Sequence, residues 1–282
     1  MRKEQLICPH LFILPSLLGC GVLLFLPYLD TIRRSFLDIT GKFCGLHNYI
    51  EVLRNEAFHI AMKNTISFMA TCIPIFMLLS LIIAVFIFEN QKGSAFLRTG
   101  LLIPMAIPVA SVVLVWKFFF DYKGILNGIL LMAGFYPQNW MESNAAFIIL
   151  VGSYIWKNLG YNVILWLAAL SAIDHSALDS ARIDGANTLQ VHWHVTLPQL
   201  KIPGYSIAVL SILNSFKVFR EAYLVAGDYP HESIYLIQHL FNNWFRNIEI
   251  EKIATASVID SIVLIFFILI LQRVWGRGNM NE

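Results

Sequence analysis

Six stretches of this chain are each apolar over about twenty residues, and a water-soluble core of 282 residues has no room for so many. They are Leu11–Leu29, Thr65–Phe88, Thr99–Phe120, Ala145–Leu170, Ile202–Ala226 and Ala254–Trp275. The hydrocarbon of a bilayer is ~30 Å thick and a helical residue rises ~1.5 Å, so each stretch is long enough to cross it. Within lipid every backbone amide must be satisfied inside its own segment, which makes the crossings helices. Composition agrees: 57% of residues are hydrophobic, only 13% are charged, and mean hydropathy is +0.66. A soluble domain carries about a quarter charged residues. The fold expected is an all-α membrane protein, a single domain built as a six-transmembrane-helix bundle over residues 1–282.

Other classes fall away. A net charge of +2 with no dense basic patch gives no footing for nucleic acid. Cys8, Cys20, Cys44 and Cys72 lack disulfide or metal-ligand spacing. Leu17-Leu18-Gly19-Cys20 looks like a lipoprotein cleavage site, but the apolar run continues through Gly21 to Leu26. It therefore reads as a span, since a signal-peptide core is roughly 7–15 residues. Six spans put both ends on one side, and the excess of Lys and Arg in cytoplasmic loops ordinarily says which. With the ends inside, Arg2, Lys3, Lys92, Arg98, Arg182, Lys201, Arg273 and Arg277 face eight cations in the external loops. The count is balanced and does not orient the chain. Pro74 in the second span, and Pro104 and Pro108 in the third, predict bends.

The long loop between the fourth and fifth spans, Asp174–Pro198, reads as two short helices. Asp174 or Ser176 can cap the first, with Ala177, Leu178 and Ala181 as its apolar face. Gly185 suits the corner, since glycine tolerates a left-handed conformation. Thr188 can cap a second helix bearing Val191, Trp193 and Val195, expected to stop before Pro198. This stretch resembles the EAA loop of permease subunits of binding-protein-dependent ABC importers: Asp179-Ser180-Ala181, Asp184-Gly185-Ala186 and Thr196-Leu197-Pro198 carry the pattern. The resemblance extends through Gly45-Leu46-His47-Asn48-Tyr49, Asn64-Thr65, Trp116-Lys117, Gly124-Ile125-Leu126-Asn127, Trp156–Gly160 and Phe216–Phe219, and it is nearest the maltose and glycerol-phosphate branch. The chain departs from the pattern where Asp179 stands for Glu, His192 for a common Phe, and Gly227-Asp228-Tyr229-Pro230 for Gly-Gly-Pro.

What the resemblance implies is an inner-membrane permease moving a carbohydrate-like solute by alternating access. Both termini and the loop would be cytoplasmic. Asp179, Ala181, Asp184, Gly185, Ala186, His192, Leu197 and Pro198 would couple the chain to its motor. Implied partners are a second, homologous permease, two ATPase subunits, an extracytoplasmic solute-binding protein and membrane lipid. No Gly-x-x-x-x-Gly-Lys-Ser/Thr loop occurs, so ATP and magnesium belong to the partner ATPase and the chain is expected to be no enzyme and to hold no cofactor itself. The rival readings are a secondary transporter or channel using intramembrane charges, and a polytopic membrane enzyme.

Polar groups within spans are costly and mark functional positions. In the fifth span Asn214, Lys217, Arg220 and Glu221 fall on one arc of about 120°. They can line a solute path, or Glu221 can pair internally with Lys217 or Arg220. In the fourth span Tyr154, Asn158 and Asn162 recur every four residues around Gly160. That pattern suits either an interrupted helix at a transport site or close small-residue packing. Asp260, flanked by Ser257 and Ser261, is expected to pair with a cation of the fourth or fifth span. His192-Trp193-His194 lacks ligand spacing, and no metal is expected.

Overall fold

The computed structural model describes residues 7–90 and 94–276. Arg2, Lys3, Lys92 and Arg277, half of the cytoplasmic cations in the charge count, lie outside the described residues. The chain is all-α. The helices are α1 (Ile7–Cys20), α2 (Leu26–Arg34), α3 (His47–Arg54), α4 (Glu56–Glu89), α5 (Ser94–Ala106), α6 (Val109–Phe120), α7 (Ile125–Met132), α8 (Ala145–Ser171) and α9 (His175–Ile183). They continue as α10 (Thr188–Val191), α11 (Leu197–Gln199), α12 (Lys201–Ser215), α13 (Phe219–Ala226), α14 (Ile237–Arg246) and α15 (Ile250–Gly276). Among the described residues no strand forms, only an isolated bridge between Leu37 and Phe43.

Among the described residues, five helical segments are long and apolar enough to cross a membrane: Ile13–Arg34, Glu56–Glu89, Ala145–Ser171, Lys201–Ala226 and Ile250–Arg273. The third apolar window is not one straight rod. It is a pair, Ala95–Ala106 and Val109–Met132, bent by 88°, and counting it as one span brings the number to six. The break has a cause in Pro108, which lacks a donor and pushes Ile107 out of the α region. Pro74, by contrast, sits inside an unbroken α4. The fifth span is α12 and α13 joined by a 3₁₀ turn at Phe216–Val218.

The chain forms two compact units, Met1–His59 with Phe241–Phe267, and Ile60–Leu240 with Ile268–Glu282. In the first, Asn48 is buried and donates to the carbonyls of Ser35 (3.1 Å) and Leu37 (2.8 Å), while the Tyr49 and Ser35 hydroxyls meet at 2.7 Å. Lys252 bridges Glu51 at 3.0 Å and Glu249 at 2.9 Å. Asn48 and Tyr49, picked out above as motif residues, thus hold a loop shut.

The second unit has two apolar clusters. One joins Phe68, Cys72 and Phe76 of α4 to Val112 and Trp116 of α6, Leu150 and Tyr154 of α8, and Ala222 of α13. The other joins Ala84 and Ile87 of α4 to Val163 and Trp166 of α8, Ile207 of α12, and Leu178 and Val191 of the loop 174–198. Trp166 Nε1 donates to Ser80 Oγ (3.1 Å) and Asn162 Nδ2 to Ser211 Oγ (2.9 Å), pinning α8 to α4 and α12. The loop is therefore packed onto the ends of the spans and not suspended from them.

Candidate functional site

Two places in the second unit concentrate the residues singled out from the sequence. The first is the loop 174–198. Asp174 is the N-cap of α9, its carboxylate accepting from the Ser176 amide at 2.9 Å. The helix stops in a Schellman arrangement: the Ala186 amide donates to the Ala181 carbonyl (3.0 Å) and the Gly185 amide to that of Arg182 (3.1 Å). Gly185 has φ +85, and a Cβ there would meet nothing within 4 Å. Conformation, not space, demands glycine at this corner. Ala181 and Ala186 pack together against the second cluster.

The second helix departs from expectation twice. Its cap is Asn187 and not Thr188. The Asn187 side chain accepts from the Gln190 amide at 2.9 Å and the Gln190 side chain accepts from the Asn187 amide at 2.8 Å, a reciprocal capping box. Nor does the helix stop before Pro198. It widens into a π turn at His192–Thr196, where the Leu197 amide reaches the His192 carbonyl, and runs on through α11. The wider turn carries the chain past a proline that would break an α register.

The loop exposes three large apolar side chains: Ile183 is 85%, Leu189 75% and Trp193 67% exposed. Asp179, Asp184 and Pro198 are exposed as well, with Asp179 taking Arg182 at 3.3 Å. At its corner a shallow cavity of ≈ 370 Å³ is lined by Ala181, Asp184, Gly185, Ala186, Gln190 and His194, among others. His192 faces inward instead. Its Nε2 lies 2.8 Å from Glu89 Oε1 at the end of α4, and its Nδ1 3.3 Å from Thr196 Oγ1.

The second place is the polar set of the fourth and fifth spans, which the structure divides. Glu221 is buried and paired with Lys157 at 2.8 Å, joining α13 to α8. The internal pair expected with Lys217 or Arg220 is thus replaced by one with a lysine that the sequence reading cited only inside a motif. Tyr154 is also buried, its ring edge-on to Phe68 (centroids 5.5 Å) and Phe76 (5.7 Å). Its hydroxyl and Glu221 Oε2 are buried without a partner. Asn158 donates to the Tyr154 carbonyl one turn back (2.9 Å). Lys217, within the 3₁₀ turn, and Arg220, next to Glu221 on α13, are exposed, and Lys217 Nζ donates to the half-buried Asn214 at 2.6 Å. The four residues of the arc do not share one surface: Glu221 turns inward to Lys157 of α8, while Lys217 and Arg220 stay exposed.

The interrupted-helix reading of the fourth span is also corrected. α8 runs unbroken from Ala145 to Ser171, and Gly160 is there for close packing: a Cβ would fall 2.0 Å from the Leu101 carbonyl oxygen of α5. Asp260 has no ion-pair partner among the described residues. Among those residues no group of three or more His, Cys, Asp or Glu is placed to hold a metal.

Comparison with known proteins bears on these features. The family described as the binding-protein-dependent transport system inner membrane component matches residues 63–278. The trehalose/maltose transport system permease protein of Thermococcus litoralis is 30% identical over 275 residues, 95% of this chain and 93% of that protein. The sn-glycerol-3-phosphate transport system permease protein of Agrobacterium fabrum is 28% identical over 92% of this chain and 91% of its own length. In fold, the chain is similar to one in the crystal structure of a bacterial ABC transporter involved in import of the acidic polysaccharide alginate. There the TM-score is 0.84 at 19% identity, covering 98% of this chain and 97% of that one.

Proposed function

The chain belongs to the family of binding-protein-dependent transport system inner membrane components, and on that premise we propose that it is the permease subunit of an ATP-driven importer for a carbohydrate-like solute. The class of solute is supported by the relatives, named for trehalose and maltose, for sn-glycerol 3-phosphate and for arabinooligosaccharides. A second permease, two ATPase subunits and a solute-binding protein complete the machine, as a related alginate transporter is described with its periplasmic protein. The chain acts as one transport domain, and hydrolysis belongs to the partner that holds ATP and magnesium. Both termini and the loop 174–198 lie in the cytoplasm, where the motor is.

The observation that carries this reading is the loop 174–198. Its corner is fixed by Gly185 in a left-handed conformation, Leu178 and Val191 pack with Ala84 and Ile87 of α4, and Ile183, Leu189 and Trp193 are exposed. Three exposed apolar side chains on a rigid, capped element suit a protein partner, and the ATPase is the partner on that side. Asp179, Asp184 and Pro198 flank the contact. Alternating access then follows from moving the loop, since the spans beneath it move with their own packed cluster.

For the solute path, the exposed Lys217 and Arg220 with Asn214 are the lining. Charged groups at span depth cost about 2.5–3.5 kcal/mol against lipid, so an exposed pair there faces water or a partner subunit. Their donors suit hydroxyl-rich or anionic solutes. Glu221 and Tyr154 support this wall from behind.

The test is co-expression with a candidate ATPase, second permease and solute-binding protein from the same source, followed by uptake into proteoliposomes. ATP-dependent, binding-protein-dependent uptake is expected, and the chain purified alone should retain no nucleotide analogue. Magnesium-dependent hydrolysis by the isolated chain, or uptake driven by an ion gradient without ATP, overturns the reading.

A further inference from the structure

Glu89 is the last residue of α4, where the carbonyl ends of the helix leave partial negative charge. A carboxylate there breaks a local rule, and the structure shows what it gains. Its Oε1 lies 2.8 Å from Nε2 of His192, which is 103 residues further along the chain. The imidazole is held from both sides, because its Nδ1 is 3.3 Å from the hydroxyl of buried Thr196. The ring has no free nitrogen and one orientation.

The position of this contact matters more than its strength. His192 is the first residue of the π turn that follows the capped helix α10. Glu89 closes the second span. Directly beneath, Ile87 and Ala84 of α4 meet Val191, Leu178 and Ile173 in one dry cluster. The packed cluster ties the loop to α4 in bulk, and the hydrogen bond, with both partners oriented, adds a directional contact that fixes register. Beside the contact is a cavity of ≈ 220 Å³, lined by Phe88, Arg182, Thr196 and the pair itself. The Glu89–His192 contact lies on the wall of this space.

We propose that Glu89 is a positioning residue for transport: through His192 it registers the coupling loop on the second span, so that movement of the loop moves α4. The proposal rests on the assignment of 174–198 as the ATPase-coupling loop, and goes beyond it by naming the span that receives the motion and the residue that receives it.

The experiment uses the reconstituted four-component complex and reads solute transported per ATP hydrolysed, with maltose, trehalose and sn-glycerol 3-phosphate as the solutes tried. Glu89→Ala should assemble normally and keep basal hydrolysis while lowering the transport-to-hydrolysis ratio at least threefold. Glu89→Gln keeps an acceptor for the imidazole N–H and should restore more than half of the ratio. His192→Phe keeps the ring and removes the bond; combined with Glu89→Ala it should be no worse than the poorer single variant, since both remove one contact. A normal ratio in Glu89→Ala overturns the proposal. So does additive loss in the double variant, a Gln variant as poor as Ala, or a loss of assembly that fully accounts for lost uptake. Gly185→Val in the same assay separates the two levels: if it uncouples while Glu89→Ala does not, the loop assignment stands and only the link to α4 fails.

Discussion

Replacing Gly160 with alanine adds one methyl group at the closest approach of two helices. The new Cβ would stand 2.0 Å from the carbonyl oxygen of Leu101 and 2.5 Å from its carbonyl carbon. Close carbon–oxygen contacts run near 3.3–3.6 Å, so α5 and α8 must part by roughly 1.3 Å. The obstacle is backbone, which cannot rotate away as a side chain tip can. Overpacking of this kind costs typically 1–3 kcal/mol, and the backbone obstacle puts Gly160→Ala at the upper end. At about 2–4 °C per kcal/mol for a chain of this size, the apparent midpoint should fall by roughly 6–12 °C. Gly152 supplies a matched control on the same helix, since a Cβ there meets nothing within 4 Å. Gly152→Ala should be neutral or slightly stabilising, because glycine is the poorer helix former. Thermal unfolding of both variants, in the assembled complex and in one lipid, decides the matter. Equal midpoints for the two would refute the close crossing of α5 and α8.

Further outcomes follow from the same geometry. Removing one partner of the buried Lys157–Glu221 pair, as in Glu221→Leu, should destabilise by about 3–5 kcal/mol, whereas Lys157→Met with Glu221→Leu should recover most of that; yield and midpoint of the complex read this out. Lys217→Ala should instead leave the midpoint unchanged and alter uptake or solute preference. His239, outside the spans, is buried among Phe219, Tyr223 and Tyr235, and burial pushes its pKa down to about 4. Its Nδ1 accepts from the Leu236 amide at 3.1 Å, which only the neutral ring can do. The unfolded chain binds a proton near the ordinary value of 6.5 and the folded one does not until about pH 4. Stability should therefore be full above pH 6.5 and decline as pH falls from there to about 4. His239→Phe should flatten that decline, and an unchanged pH profile would refute the burial.

The spans were legible because lipid demands length and dryness, which a single sequence displays directly. The coupling loop was legible for a different reason: caps and a corner glycine act locally, so Asp174 and Gly185 could be placed by residue type. Asn187 was missed although its signal was present, a Gln three residues on completing a capping box, because Thr188 beside it is also a competent cap. The amphipathic helix α14 was missed inside a polar loop, yet Ile237, Leu240 and Trp244 recur at helical spacing and are buried. Partnerships across helices were another matter. Nothing in linear spacing joins Lys157 to Glu221 or Glu89 to His192, because which faces meet is decided by packing. The arc of Asn214, Lys217, Arg220 and Glu221 was split for the same reason, since only the packing of α13 on α8 turns Glu221 inward while Lys217 and Arg220 stay exposed.

The most direct test of the central claim places a photo-crosslinking residue at position 193 of the loop, in the complete assembled complex. Trp193 is exposed on the loop, and Tyr136, also exposed, lies in the connection before α8 and serves as control. Illumination should join the ATPase subunit to this chain from position 193 and not from position 136. Capture of the ATPase from position 136, or its absence at position 193 in a complex that still transports, would contradict the account.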